Sequence, residues 1–160
     1  MGNGWTENRL NEHCNDYVEW LIERCLLLSK HLSTSQLQHQ PSLVSETWNT
    51  LVESGFLALL EGFAKVFDCS TEGRALMSMD LATFSTALPL ASPKRGMQYV
   101  DMYIKVFYFP LEDILNWIRD NRNHYHLHHL LTLVSFGAHN QLTTDEIAKI
   151  RSLRGEIMKL

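Results

Sequence analysis

The 160-residue chain has the length of one ordinary domain, and 45% apolar with 20% charged residues is the balance of a folded chain, not a disordered one. A formal net charge of −4 builds in no attraction to nucleic acid or anionic lipid, and Lys94–Arg95 is too short to form a basic patch. Three cysteines, Cys14, Cys25 and Cys69, with no CxxC spacing, point to free, packed thiols in a reducing compartment.

In chain order, Met1-Gly2-Asn3-Gly4-Trp5-Thr6 formally fits the pattern for N-terminal myristoylation, although residues 1–5 read more plainly as a flexible or extraneous leader. Nothing here resembles a secretory signal, and no apolar run reaches the roughly 18 residues of a membrane span. The first helix is expected over residues 6–32, where Leu10, Tyr17, Leu21, Cys25, Leu28 and Leu32 recur at helical spacing. Residues 33–40, rich in Ser and Gln, read as a loop. Pro41 suits the first turn of a second helix, whose stripe is Val44, Trp48, Leu51, Val52, Phe56, Leu59, Leu60 and Phe63. Gly55 and Gly62 inside it are expected to admit a neighbouring helix at close range, with a local kink at either as the alternative.

Ser70 or Thr71 caps a third helix carrying Leu76, Met77, Leu81, Phe84 and Leu88, with Glu72 near its positive end. Pro89 and Pro93 mark a connection, and a fourth helix follows over 96–108. Pro110 opens a fifth, with Glu112 and Asp113 in its first turn. A sixth spans 125–136 and is closed by Gly137. Thr143 and Glu146 form a capping-box pattern for a last helix over 144–159. No segment alternates with period two. The expected fold is all-α, an elongated helical bundle of about seven helices forming one domain over residues 1–160.

Four stretches resemble the C-terminal region of the syndetin family. They are Asn11-Glu12-His13 with Tyr17-Val18; Lys65-Val66 with Cys69-Ser70-Thr71-Glu72-Gly73-Arg74-Ala75-Leu76-Met77 and Asp80; Tyr99-Val100 with Tyr103-Ile104-Lys105-Val106 and Tyr108; and Trp117-Ile118 with Tyr125 and Leu133-Val134. The run from Glu72 to Met77 is the most specific. The chain departs from the pattern in the His-rich segment 121–129, in the connection 89–95 and in the final helix.

The resemblance implies a subunit of the endosome-associated recycling protein complex, a tether related to the Golgi-associated retrograde protein complex. It also implies a stacked-helix rod. Family members are several times longer and carry N-terminal coiled coils, so the chain reads as an excised C-terminal module. The implied partners are other tethering-complex subunits, accessory tethers, SNAREs or small GTPases, with no nucleic acid. The implied location is cytosolic, peripheral on recycling endosomes or trans-Golgi membranes.

Two groups of residues are site candidates. Glu72, Gly73, Arg74, Asp80 and Trp117 form a candidate structural motif, a functional surface at Glu72-Gly73-Arg74 being the alternative. Gly73 permits close backbone approach. A buried Arg74 paired with Asp80 or a more distant acid fixes helix register, although this spacing puts the two on different helix faces. Trp117, beside Ile114 and Ile118, is expected in the core. Tyr99, Tyr103, Phe107, Tyr108 and Phe109 occupy more than one side of their helix, so those facing outward form a candidate interaction patch.

The run His124-Tyr125-His126-Leu127-His128-His129 is the obvious metal-ligating segment, with His124 and His128 on one face if both are helical. A zinc site normally needs three or four protein ligands, and no HExxH or nearby cysteine supplies the rest. A polar helix start is the plainer expectation, with no metal and no cofactor. Cys69 precedes a helix but lacks a recognisable His/Asn partnership, so a packed thiol is expected. The chain has no GxSxG or phosphate-binding loop. A non-enzymatic interaction module is therefore expected. The competing readings are a metal-binding helical-bundle enzyme built on residues 124–129 and a lipid-anchored adaptor using Gly2.

Overall fold

The computed structural model describes residues 4–6, 12–34, 39–66, 69–88 and 95–136, together with residues 145, 148, 149, 151, 152 and 155. A single 3-10 turn, Gly4–Thr6, precedes six α-helices: α1 (Asp16–Thr34), α2 (Pro41–Phe63), α3 (Thr71–Ala87), α4 (Arg95–Val106), α5 (Leu111–Asn121) and α6 (Leu127–Phe136). Among the described residues there is no strand. The expected seventh helix falls mostly outside them, but residues 145, 148, 149, 151, 152 and 155 are helical. Lys149 there pairs with Glu112 of α5. Gly2, Gly137 and the connection holding Pro89 and Pro93 lie outside the described residues.

Helix α2 is the hub, packing against α1, α3 and α4, while α5 pairs with α6. Its stripe explains this position. Val52, Phe56, Leu59, Leu60 and Phe63 are buried, and they meet Met77, Leu81 and Phe84 of α3 and Val100, Tyr103 and Ile104 of α4 in one core. Leu115, Ile118, Leu130 and Leu133 extend that core into the α5–α6 pair. The three cysteines are free thiols, with Cys25 and Cys69 buried.

Local signals set the helix starts as expected. Pro41 stands in the first turn of α2. Ser70 is the N-cap of α3, its Oγ accepting the Gly73 N–H at 3.0 Å. Pro110 precedes α5, whose first turn holds Glu112 and Asp113.

Four expectations are corrected. The first helix begins at Asp16, not Thr6, because the Asn15 N–H turns away to Asp80 Oδ1 at 2.9 Å. The buried stripe of α1 runs through Val18 and Cys25 with Leu21, Ile22 and Leu32 partly covered, and Leu28 is rotated out at 47% exposure. Gly62 meets no neighbouring helix, since a Cβ built on it finds nothing within 4 Å, whereas Gly55 does abut α3. Trp5 is not a loose leader. Its ring lies edge-on to Phe63 at 6.0 Å, and its carbonyl accepts the Ser70 N–H at 2.7 Å.

Candidate functional site

The start of α3 is a tight polar joint. Gly73 is buried under the Trp5 backbone, so a Cβ there meets the Trp5 carbonyl carbon at 2.8 Å and Cys69 Sγ at 2.9 Å. Glu72 is half-buried beside it, in the first turn, where the helix dipole favours a carboxylate. Arg74 is fully buried. Its guanidinium lies 4.6 Å from the Phe107 ring centroid and 5.9 Å from that of Tyr103, a cation–π arrangement on the underside of α4. Burial pushes the Arg74 pKa down, with Tyr103 opposing.

Asp80 is also fully buried, but it serves a different contact. Oδ2 accepts from Asn15 Nδ2 at 2.8 Å and from the Tyr17 hydroxyl at 2.5 Å, while Oδ1 takes the Asn15 N–H. Burial raises its pKa more than these three donors lower it. Arg74 and Asp80 thus act as two separate anchors, as their spacing implies, because six positions along a helix turn the side chains onto different sides. Arg74 fastens α3 to α4, and Asp80 fastens α3 to the start of α1. Trp117 is half-buried rather than enclosed, its ring 5.0 Å from Tyr125.

The aromatic group of α4 divides between core and surface. Tyr103 is fully buried, and Tyr99 and Phe107 are partly covered. Tyr99 stacks on Tyr125 at 3.9 Å with the rings 11° apart, and its hydroxyl donates to the His124 carbonyl. The Tyr125 hydroxyl in turn donates to the Tyr99 carbonyl at 2.8 Å, which locks α4 to the segment entering α6. Beyond Val106 the helix gives way to a turn, and there Tyr108 and Phe109 stand 49% and 39% exposed. Of the five aromatic positions, these two form the outward face.

The histidine segment is arranged differently from the expectation. Because α6 begins at Leu127, His124 precedes the helix and does not share a helix face with His128. Instead His128 and His129 both turn toward Glu61 on α2. His128 Nε2 lies 2.8 Å from Oε2 and His129 Nε2 lies 3.1 Å from Oε1. The His128 hydrogen bond holds the Glu61 carboxyl below its ordinary range. Burial pushes the His129 pKa down. Glu61 escaped the sequence reading because nothing local ties it to histidines 67 and 68 positions away.

A model of the syndetin C-terminal family matches residues 2–152. The chain belongs to this family. It is 31% identical to chicken syndetin over 142 residues, which is 84% of this chain and 15% of the chicken protein. Against rat syndetin it is 30% identical over 125 residues, 75% of this chain and 13% of the relative. The syndetin-like segment thus spans less than a sixth of the length of either relative. No solved structure gives a significant match. Within the family region lie both anchors of α3, the aromatic group of α4 and the Glu61–histidine cluster. No helix among the described residues is long and apolar enough to cross a membrane.

Proposed function

We propose that this chain is the C-terminal protein-interaction module of a vesicle-tethering complex subunit acting in endosomal recycling or endosome-to-Golgi retrograde transport. The family match over residues 2–152 carries the proposal. The module turns over no substrate. It reaches membranes through its complex, from the cytosol, on recycling endosomes or trans-Golgi membranes.

The division between core and surface supports an outward-reaching role. The described residues have their own core and a side-chain N-cap at Ser70, so the domain should fold without the rest of a long subunit. Tyr108 and Phe109 offer two exposed aromatic rings on a turn held by the α3–α4 packing. Exposed aromatics in such a setting are the side chains that dominate protein interfaces. The Tyr108 hydroxyl, donating to the Thr71 carbonyl at 3.3 Å, orients one of them. The partner is a protein of the tethering machinery: another subunit, an accessory tether, a SNARE or a small GTPase.

The test is deletion of the module from the full-length subunit in cells. The core subunits should still co-precipitate, while recycling of endosomal cargo slows. Tyr108→Ala with Phe109→Ala should reproduce the slowing while the isolated domain keeps its helical circular dichroism spectrum and a cooperative melt. If the other subunits fall away on deletion, the module is part of the assembly scaffold and the outward-reaching role is wrong.

A further inference from the structure

The sequence alone offered the histidine segment without enough ligands for a metal, and the fold supplies the missing one. Glu61, His128 and His129 each present a ligand atom, and these atoms all lie within 4.8 Å of one another. A zinc ion bonds nitrogen and carboxylate oxygen at about 2.0–2.2 Å, so two of its ligands stand at most about 4.4 Å apart, and a small side-chain adjustment lets these three share one ion in place of the two hydrogen bonds that now join them.

Two further observations show that the cluster is built and not merely crowded. The backbone that carries both histidines is held from outside. The Thr132 hydroxyl shares its one proton between the Ala64 carbonyl at 2.7 Å and the His128 carbonyl at 2.9 Å, and the Tyr103 hydroxyl donates to the His129 carbonyl at 3.3 Å. These contacts fix the first turn of α6 against the end of α2 and against α4 before any ligand arrives. In addition, the three side chains span the boundary between interior and solvent. The His129 side chain is 2% exposed, Glu61 41% and His128 50%, which leaves one side of the cluster open to solvent.

We propose that Glu61, His128 and His129 form a binding site for a zinc-class divalent cation that clasps α6 to α2. Two imidazoles and one carboxylate suit zinc and its borderline neighbours, not the all-oxygen ions magnesium and calcium. The role is structural: the ion crosslinks two helices 67 residues apart in sequence, and binding free energy becomes folding free energy. His124 and His126 stand outside the ligand set and serve as internal controls.

The experiment uses the untagged 160-residue chain, never exposed to nickel resin, titrated with zinc chloride by calorimetry. One equivalent should bind saturably and raise the melting temperature. Cobalt(II) in its place should give the strong visible absorption of a four-coordinate site. Glu61→Gln and His128→Ala should each weaken zinc binding about tenfold or more. His124→Ala with His126→Ala should leave the affinity within a few-fold. Glu61 and His128 are partly exposed, so these variants should retain the helical circular dichroism spectrum; if His128→Ala unfolds, Glu61→Gln decides alone. Three results overturn the site: no saturable binding up to millimolar zinc, binding indifferent to Glu61→Gln, or binding abolished by the His124/His126 pair. The last would mark the ion as adventitious on the exposed histidine run.

Discussion

Two glycines on α2, seven positions apart, should respond to the same substitution with opposite signs. At Gly55 an added Cβ falls 2.5 Å from Phe84 Cζ and 3.1 Å from Cε1. Carbon–carbon contacts sit at about 3.5–4.0 Å, so the ring edge must retreat by about 1 Å. Phe84 is fully buried and packs edge-on against Phe56 at 5.1 Å, which leaves it no open space to enter. Overpacking of this kind costs about 1–3 kcal/mol, and the helix preference of Ala over Gly returns about 1 kcal/mol. Gly55→Ala should therefore destabilise by about 1 kcal/mol. At Gly62 nothing lies within 4 Å and the position is exposed, so only the helix preference remains. Gly62→Ala should stabilise by about 0.5–1 kcal/mol. The two variants should differ by about 2 kcal/mol, or roughly 4–8 °C in Tm at this chain length. Urea unfolding followed by far-UV circular dichroism reads the difference directly, provided the m-value is unchanged. Phe84→Leu should also cost less in the Gly55→Ala background than alone, because the smaller side chain relieves the clash. If Gly55→Ala proves as stable as Gly62→Ala, the close approach of α2 and α3 through this ring is wrong.

Four further outcomes follow from the same geometry. Asp80→Ala leaves Asn15 N–H, Asn15 Nδ2 and the Tyr17 hydroxyl without their acceptor, and should cost about 3 kcal/mol in a denaturant melt. Because burial raises the Asp80 pKa above its unfolded value of about 3.9, the folded state binds this proton more tightly. The stability that Asp80 contributes relative to Asp80→Asn should then be largest at acid pH and shrink as pH rises through the folded pKa; a gap that widens with pH would contradict this. Gly73→Ala forces the Trp5 backbone off α3 and should shift tryptophan emission to the red, whereas an unchanged spectrum would place Trp5 elsewhere. Trp117→Ala should cost about 2 kcal/mol, less than the 3–5 kcal/mol of a fully buried aromatic, because the ring is only half covered.

What the sequence made legible is what a few neighbouring residues encode. Pro41, Ser70 and Pro110 mark helix starts because the signal is a missing N–H or a side-chain acceptor within one turn. The α2 stripe was legible because its apolar residues are dense enough to fix the phase of the helix. The α1 stripe was not: apolar residues ring that helix, and only packing on α2 and α3 chose Val18 and Cys25 and left Leu28 outside. The residues that hold the helices together lie further apart still. Trp5 meets Ser70, Asn15 meets Asp80, Glu53 caps Gly96 at 2.8 Å, and Glu61 meets His128. Each of these joins spans more than 40 positions, and no periodicity reports them.

The aromatic group of α4 shows why a candidate surface is harder to read than a core. Tyr99 and Tyr103 share one face of α4, Phe107 follows four positions on in the turn just past its end, and the fold turns this side toward Arg74 and Tyr125. Had α4 continued past Val106, Tyr108 and Phe109 would have pointed about 100° apart around the helix. The helix stops at Val106, and Pro110 then fixes where α5 begins, so the two rings are held on a turn that neither helix can draw inward. Exposure at this place is therefore set by two helix boundaries and not by the aromatics themselves. A change that lengthened α4, such as replacing Pro110, should bury or misdirect both rings while leaving their identity intact. That is the sense in which the candidate interface belongs to the fold: its chemistry is written at positions 108 and 109, and its presentation at 106 and 110.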